Sequence, residues 1–436
     1  MGDAMAGSQE TVLQSAARRH TRLTGPVVAT EAVPLAAAIG AYGLLSAFLS
    51  TTTSLFLTTA VHAAPLLIGL FFAGRGVVSI ALNLSVGSMS DVLSDRRLIV
   101  VIAGAGGAIG GVCFAVLRDY FAVLVSGVVF FSIVALGFSQ LFAYANEFAH
   151  ARRRPVTMFT SLLRAVFTAS WVIGPPIGFY LLSRYGFGPL YLTLGCLSLL
   201  MAAFGWGLRP LPAASRPAPA ALADRRRTRQ APSSAFSALP VRTWLLLGAV
   251  VALGVVNQMY AIDVPLYVTK ALHLNAQLVG WMAGFGAALE IPIMIVAARL
   301  ADRFGKLRLV VASAVGATVF FCLLPLATST LTLLALQVLN AAWTSVSLSI
   351  PMVMVLDEVP NRAGTASALY GSSFMFAGVL AGAITGVATA VIGFGNVFWV
   401  CAALAAVAVI LLLARARLAA RAQNSGVRHL VAFRHE

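Results

Sequence analysis

Ala298-Arg299-Leu300-Ala301-Asp302-Arg303-Phe304-Gly305-Lys306-Leu307-Arg308 is a short charged stretch between two long apolar runs. It has a counterpart 211 residues earlier, Gly87-Ser88-Met89-Ser90-Asp91-Val92-Leu93-Ser94-Asp95-Arg96-Arg97. The same offset brings Leu67-Ile68-Gly69 onto Leu278-Val279-Gly280, Asp91 onto Asp302, Arg97 onto Arg308 and Glu147 onto Glu358. Several matches in one register, without gaps, mark an internal repeat of half-chain length. Such repeats belong to membrane transporters built from paired bundles, with a cavity between them.

The solvent follows from composition. Of 436 residues, 60% are apolar and 10% charged, and the mean hydropathy is +0.91. A water-soluble chain of this kind would expose large apolar patches and aggregate, whereas hydrocarbon tolerates such a surface. A span takes about 20 apolar residues. Twelve runs meet that need, at 34–60, 66–90, 98–117, 120–146, 157–183, 188–208, 243–269, 276–299, 308–327, 330–356, 365–391 and 396–415. The expected fold is therefore an all-α membrane protein of twelve transmembrane helices in two six-helix bundles. Residues 1–33 read as a tail without the apolar core of a cleavable signal peptide. Residues 34–208 form the first bundle, the Pro-, Ala- and Arg-rich segment 209–242 a linker, 243–415 the second bundle, and 416–436 a second tail.

The net charge of +16 raises the question of nucleic acid, and its distribution answers it. With the N-terminus inside, 25 of the 30 Lys and Arg fall in inside segments, three (Arg118, Arg184, Lys270) outside, and two (Arg75, Arg164) within spans. That asymmetry places both tails and the linker in the cytoplasm and points to anionic headgroups, not to a nucleic-acid groove. The four cysteines (Cys113, Cys196, Cys322, Cys401) lie in apolar runs, with no CxxC pair, and read as small buried hydrophobes. The histidines lack ligand spacing, so no metal site is expected. No phosphate-binding loop and no nucleophile constellation is visible, so the chain reads as no enzyme, without a cofactor and not driven directly by ATP.

The two charged stretches resemble the signature of the major facilitator superfamily, in which a small residue is followed by Asp-Arg, Gly and basic residues. The second copy follows it closely; the first has Val92 for Arg and Ser94 for Gly. A carboxylate at a helix end can pair with arginines and a neighbouring helix terminus, a latch that holds one access state. The gating set is accordingly Asp91, Arg97, Asp302, Arg303, Arg308, Glu147 and Glu358; the alternative is a solvated turn fixing topology by charge. In the fifth span, Ser170-Trp171-Val172-Ile173-Gly174-Pro175-Pro176-Ile177-Gly178 resembles the Gly-Pro element of the superfamily's antiporters. Proline bends a helix and glycine permits close packing, with or without a bearing on direction. Gln140-Leu141-Phe142-Ala143, Glu147-Phe148-Ala149, Met158-Phe159-Thr160-Ser161, Asn257-Gln258-Met259-Tyr260-Ala261-Ile262-Asp263-Val264-Pro265-Leu266 and Leu289-Glu290-Ile291-Pro292 are similar to the bacterial sugar efflux transporter family. The resemblance runs over most of both halves. It implies the major facilitator fold, the bacterial inner membrane, and proton-linked export of lactose-, glucose- or thiogalactoside-like sugars. A drug or other metabolite exporter of the same fold is the alternative. The implied partners are a small sugar, protons and membrane lipid, with the chain acting as a monomer.

Ionisable residues in hydrocarbon cost roughly 2.5–3.5 kcal/mol on insertion scales and face cavities for a reason. Arg75, Arg164, Asp263 and Glu290 stand well inside spans. Helical spacing gathers Asn257, Tyr260, Asp263 and Tyr267 on one face of span seven, and Arg75, Ser79 and Asn83 on one face of span two. It does the same for Thr160, Arg164, Thr168 and Trp171 in span five, Gln140, Tyr144 and Glu147 in span four, and Gln337, Asn340 and Thr344 in span ten. These faces offer the donors and acceptors that sugar hydroxyls need. The candidate substrate residues are Asn257, Tyr260, Arg164, Trp171, Gln140, Arg75, Asn83, Gln337 and Asn340. Interhelical hydrogen bonds alone would equally account for the amides. Glu290 and Asp263 are the candidates for proton coupling; the alternative is a static ion pair with Arg75 or Arg164. At the 211-residue offset Glu290 meets Ser79 and Asp263 meets Thr52, so both carboxylates belong to the second half alone.

Overall fold

The computed structural model describes residues 26–89, 95–152, 154–210, 240–358 and 363–432. Among these the chain is all helical, without a strand. The first half comprises α1 (Pro26–Thr59), α2 (Pro65–Met89), α3 (Arg96–Val116), α4 (Tyr120–Ala151), α5 (Val156–Tyr185) and α6 (Phe187–Trp206). The second comprises α7 (Val241–Leu266, continued by a π turn to Ala271), α8 (Gln277–Phe304), α9 (Lys306–Leu323), α10 (Thr330–Glu358), α11 (363–392) and α12 (394–432). Eleven continuous stretches are long and apolar enough to cross a membrane, and the last, Leu369–Leu418, holds two passes. Gly393, with φ 81° and ψ 167°, turns the chain between them in a conformation that glycine adopts without Cβ strain.

Long apolar side chains face outward all round, Leu331 at 77% exposure and Val116 at 72% among them. Helices apolar on every side are stable in lipid and not in water. Against the expectation that all four cysteines are buried, Cys196 belongs to this outer surface and Cys113 and Cys322 are half-buried, while Cys401 is buried. Several helices run past the predicted spans: α1 starts at Pro26 inside the predicted tail, α4 ends at Ala151 and α8 at Phe304, and α12 continues to Ala432. Hydropathy marks where hydrocarbon ends, whereas helix propensity decides where a helix ends, and Ala, Arg, Leu and Gln all favour helix.

The repeat reaches the backbone. His62 (φ 56°) and His273 (φ 54°), 211 residues apart, both occupy the left-handed region just past α1 and α7. There Val61 N–H bonds the Phe56 carbonyl and Ala63 N–H that of Leu57, and Leu272 N–H and Leu274 N–H do the same to Tyr267 and Val268. The shared offset thus extends to the hydrogen bonds that close the two helices.

The halves meet along α2–α11 and α5–α8, with α1 against α7. Their closest approaches lie toward the ends that carry few basic residues. A Cβ on Gly69 would stand 2.4 Å from Gly386 Cα, and one on Gly284 would stand 2.5 Å from the Val172 carbonyl oxygen and 2.7 Å from Pro176 Cγ. Gln277 Nε2 donates to the Pro176 carbonyl at 3.0 Å. The Gly-Pro element of α5 is therefore part of the seam against α8. At the opposite, basic ends, each described ion pair joins residues of the same half.

Candidate functional site

In the second half, α10 presents Gln337, Asn340 and Thr344 at helical spacing to α7 and α8. Gln337 Oε1 accepts from Tyr260 Oη at 3.0 Å and from Asn340 Nδ2 at 3.1 Å, while Gln337 Nε2 donates to the Leu333 carbonyl at 3.1 Å. Tyr260 rests edge-on against Phe320, with ring centroids 5.6 Å apart. One turn on, Thr344 Oγ1 stands 2.8 Å from Glu290 Oε1 of α8. Gly286 of α8 leaves room for the amides, since a Cβ there would come within 3.4 Å of Gln337 Oε1. Asn340 Oδ1 is buried without a hydrogen-bond partner. A buried acceptor left unpaired costs about 1–3 kcal/mol, which a ligand hydroxyl can recover. Tyr260, Gln337, Asn340 and Glu290 are thus brought together.

Asp263 stands apart. Its side chain is fully buried and faces α11, where Thr385 Oγ1 donates to Oδ2 and Thr389 Oγ1 to Oδ1, each at 3.2 Å. Tyr267 lies toward the carbonyls of Leu324, Pro325 and Ala327. The single polar face expected on span seven is therefore divided, with Tyr260 toward α10 and Asp263 toward α11. A three-residue step falls short of a full helical turn by about 60°, enough to direct successive side chains at different neighbours. Asn257 is half-buried and makes no described side-chain bond. Neither Asp263 nor Glu290 is in an ion pair with Arg75 or Arg164; their partners are hydroxyls.

The first half is arranged differently. Gln140, expected to bind substrate, accepts from Arg96 Nη1 at 3.0 Å, and Arg96 Nε donates to Glu147 Oε1 at 2.8 Å. It is part of a clasp at the basic end of α3 and α4. Arg97, of the expected gating set, pairs with Asp95 at 2.5 Å and donates to the Leu208 carbonyl at 2.7 Å. In the second half Glu358 accepts from Arg415 at 2.5 Å and from Thr243, and Lys306 pairs with Asp357 at 2.6 Å. Asp302 and Arg308 are exposed and without an ion pair among the described residues, and Arg303 lies over Phe304. The latch expected at Asp302 is therefore not closed here. Asp91 lies outside the described residues. Arg96, Asp95, Arg415, Lys306, Asp357 and Thr243 were not in the expected gating set. The repeat could not supply them, because Arg96 aligns with Leu307 and Arg415 with Phe204.

Between the halves lies a cleft of about 260 Å³. Ser50, Phe72, Arg75 and Ser79 line it from the first half, and Gln258 and Phe374 from the second. Asn83, one turn beyond Ser79, is tied to the Ser79 carbonyl at 2.9 Å and accepts from Ser139 at 3.4 Å. Arg164 is exposed on α5, its guanidinium over Phe142 at 5.8 Å. Trp171 Nε1 is a second buried polar atom without a partner.

The sequence pattern of the Major Facilitator Superfamily matches residues 35–287 and 246–435. Sugar efflux transporter B of Salmonella typhimurium is 34% identical over 361 residues, 82% of this chain and 88% of that one. Sugar efflux transporter A of Dickeya chrysanthemi is 33% identical over 346 residues, covering 79% and 85%. Sugar efflux transporter C of Escherichia coli is 30% identical over 376 residues, covering 85% and 92%. Among solved structures, the nucleoside transporter NupG superposes with a TM-score of 0.78 at 14% identity, over 88% of this chain and 99% of that one. A D-xylose–proton symporter does so with a TM-score of 0.67 at 16% identity, over 87% and 96%. At such identities the superpositions speak for the fold. With the pattern and the relatives spanning most of both halves, this chain belongs to the major facilitator superfamily.

Proposed function

We propose that this transporter exports sugars from the cytoplasm by proton antiport, alternating access to a site between its halves. The observation that carries the reading is the Tyr260–Gln337–Asn340 cluster beside Glu290. It sets amide and phenol groups, one acceptor unsatisfied, next to a carboxyl held by a hydroxyl and not by an arginine. Such a carboxyl is free to bind and release a proton as access alternates, which a static ion pair would prevent. The sugar efflux relatives support the cargo. Asp263, sealed against Thr385 and Thr389, is the second candidate for the proton. Arg75, Trp171, Asn257 and Arg164 remain candidates for substrate contact from the cleft and its flanks, whereas Gln140 and Asn83 act through the helices they tie.

The charge asymmetry supports a topology with the basic ends, both tails and the linker in the cytoplasm, and the bacterial sugar efflux relatives support an inner membrane. In that orientation the glycine seam closes the outer side, and the conformation described here faces inward. The clasps at Glu147 and Glu358 then brace each half at its cytoplasmic end. Everted vesicles tested for uptake of labelled lactose, glucose and a lipophilic cation, with and without a proton gradient, decide the matter. Gradient-driven sugar accumulation is expected. Accumulation of the cation and no sugar would overturn the reading in favour of a drug exporter.

A further inference from the structure

Arg75 is the eleventh residue of the 25-residue α2, at the middle of the span, and it lines the cleft between the halves. It takes part in none of the described ion pairs, and its side chain makes no described hydrogen bond. The two carboxylates nearest in depth are already engaged elsewhere, Glu290 with Thr344 and Asp263 with Thr385 and Thr389. A guanidinium near a span's end can extend to the headgroups, but one at mid-span in a cleft cannot. A buried charge is normally paired, because an isolated one is costly in a medium of low dielectric. Among the described residues, the protein supplies the cation and no anion paired with it.

The rest of the lining fits a small polyol. Ser50, Ser79 and Gln258 offer hydroxyl and amide groups, and Phe72 and Phe374 offer ring faces to the apolar side of a sugar. The volume of about 260 Å³ lies below the roughly 300–1,000 Å³ typical of sites for drug-sized ligands. Resting on the sugar-export reading above, the geometry points to a more specific cargo: a monosaccharide carrying an anionic group, carboxylate or phosphate, with Arg75 as its counter-ion. The forked guanidinium meets either group through two parallel hydrogen bonds, which a lysine cannot reproduce.

The test uses the full chain reconstituted in liposomes, with counterflow of labelled glucose competed by glucose, glucuronate and glucose 6-phosphate. At least one of the two anions is expected to compete about tenfold or more better than glucose, the size of effect found when a desolvated charge gains its partner. Which anion wins separates carboxylate from phosphate. Arg75→Gln should collapse that ratio to near one, and Arg75→Lys should restore part of it. Glucose competing as well as both anions overturns the anionic cargo while leaving sugar export standing. So does an Arg75→Gln protein that keeps the wild-type ratio. Transport of a lipophilic cation with no sugar moved at all would overturn both readings together. Should Arg75→Gln fail to give a monodisperse protein, the wild-type competition and Arg75→Lys still decide.

Discussion

The two halves share a backbone down to the left-handed histidines that follow α1 and α7, yet they spend their polar residues differently. In the second half, carboxylates sit mid-span and are satisfied by threonine hydroxyls from α10 and α11. In the first half the equivalent positions are Ser79 and Thr52, and Thr52 is satisfied by the Phe48 carbonyl of its own helix at 2.7 Å. The first half contributes a mid-span arginine instead. Repetition fixes helix packing, because packing is what the shared backbone must reproduce. The halves differ where the repeat is broken, one holding mid-span carboxylates and the other a mid-span arginine.

The largest expected effect breaks that division directly. Glu290→Gln keeps an acceptor for Thr344 and removes the exchangeable proton. Gradient-driven sugar uptake into everted vesicles should fall by about 100-fold or more, the scale on which a proton-transfer group contributes. Sugar exchange without a gradient should persist. Unchanged driven uptake would move the proton to Asp263, where Asp263→Asn is the matching experiment.

The clasps at the basic ends come next. Arg415 and Glu358 are the more buried pair, with side chains 13% and 7% exposed against 17% and 12% for Arg96 and Glu147. Removing one partner strands the other charge, and the cost grows with burial. Arg415→Ala should cost about 2–3 kcal/mol, and Arg96→Ala about 1 kcal/mol less, because the C-half pair is drier. Thermal unfolding in detergent would show the order, and equal losses would mean that burial does not set it.

A smaller effect is expected at the seam. Gly69→Val puts a side chain where Gly386 Cα lies within 2.4 Å of the first added carbon. Overpacking of this kind costs about 1–3 kcal/mol and falls only on the conformation with the outer end closed. In a background freed of native cysteines, a Ser79→Cys probe in the cleft should react several-fold faster with an impermeant maleimide added from outside. No change in labelling would mean that the seam yields without opening.

These experiments turn on features that differed in how legible they were. The spans, the repeat and the isolation of Glu290 in hydrocarbon are one-dimensional properties, carried by hydropathy and spacing, and they could be read directly. The direction of a side chain from a helix is not. Asp263 and Tyr260 are three residues apart, yet they reach α11 and α10. Gln140 is as suited to a sugar as Gln337, and only the position of Arg96 turns it into a brace. Which of Arg96 and Arg97 reaches Glu147 depends on the rotation of α3, which a signature motif does not encode. The closed side was hidden for another reason: small residues that permit close packing occur toward both ends of the spans, so spacing alone does not say which end is closed.

The smallest expected effect concerns Asp302, which a sequence signature ranks high and this conformation leaves idle. It is exposed and without an ion pair among the described residues, so Asp302→Asn should change stability by no more than about 0.5 kcal/mol and leave the unfolding temperature nearly unchanged. Its counterpart experiment, Glu358→Gln, removes a carboxylate that is engaged by both Arg415 and Thr243, and should be felt at once. The contrast separates two roles for acidic residues at the same end of the molecule. Glu358 ties α10 to α7 and α12 of its own half. Asp302 can matter only if the latch forms once the cytoplasmic ends come together. A variant that unfolds normally but transports more slowly, with the Ser79→Cys probe shifted toward inside access, would assign the latch to the outward-facing state. A loss of stability as large as that of Arg415→Ala would instead make Asp302 a structural partner already in the conformation described here.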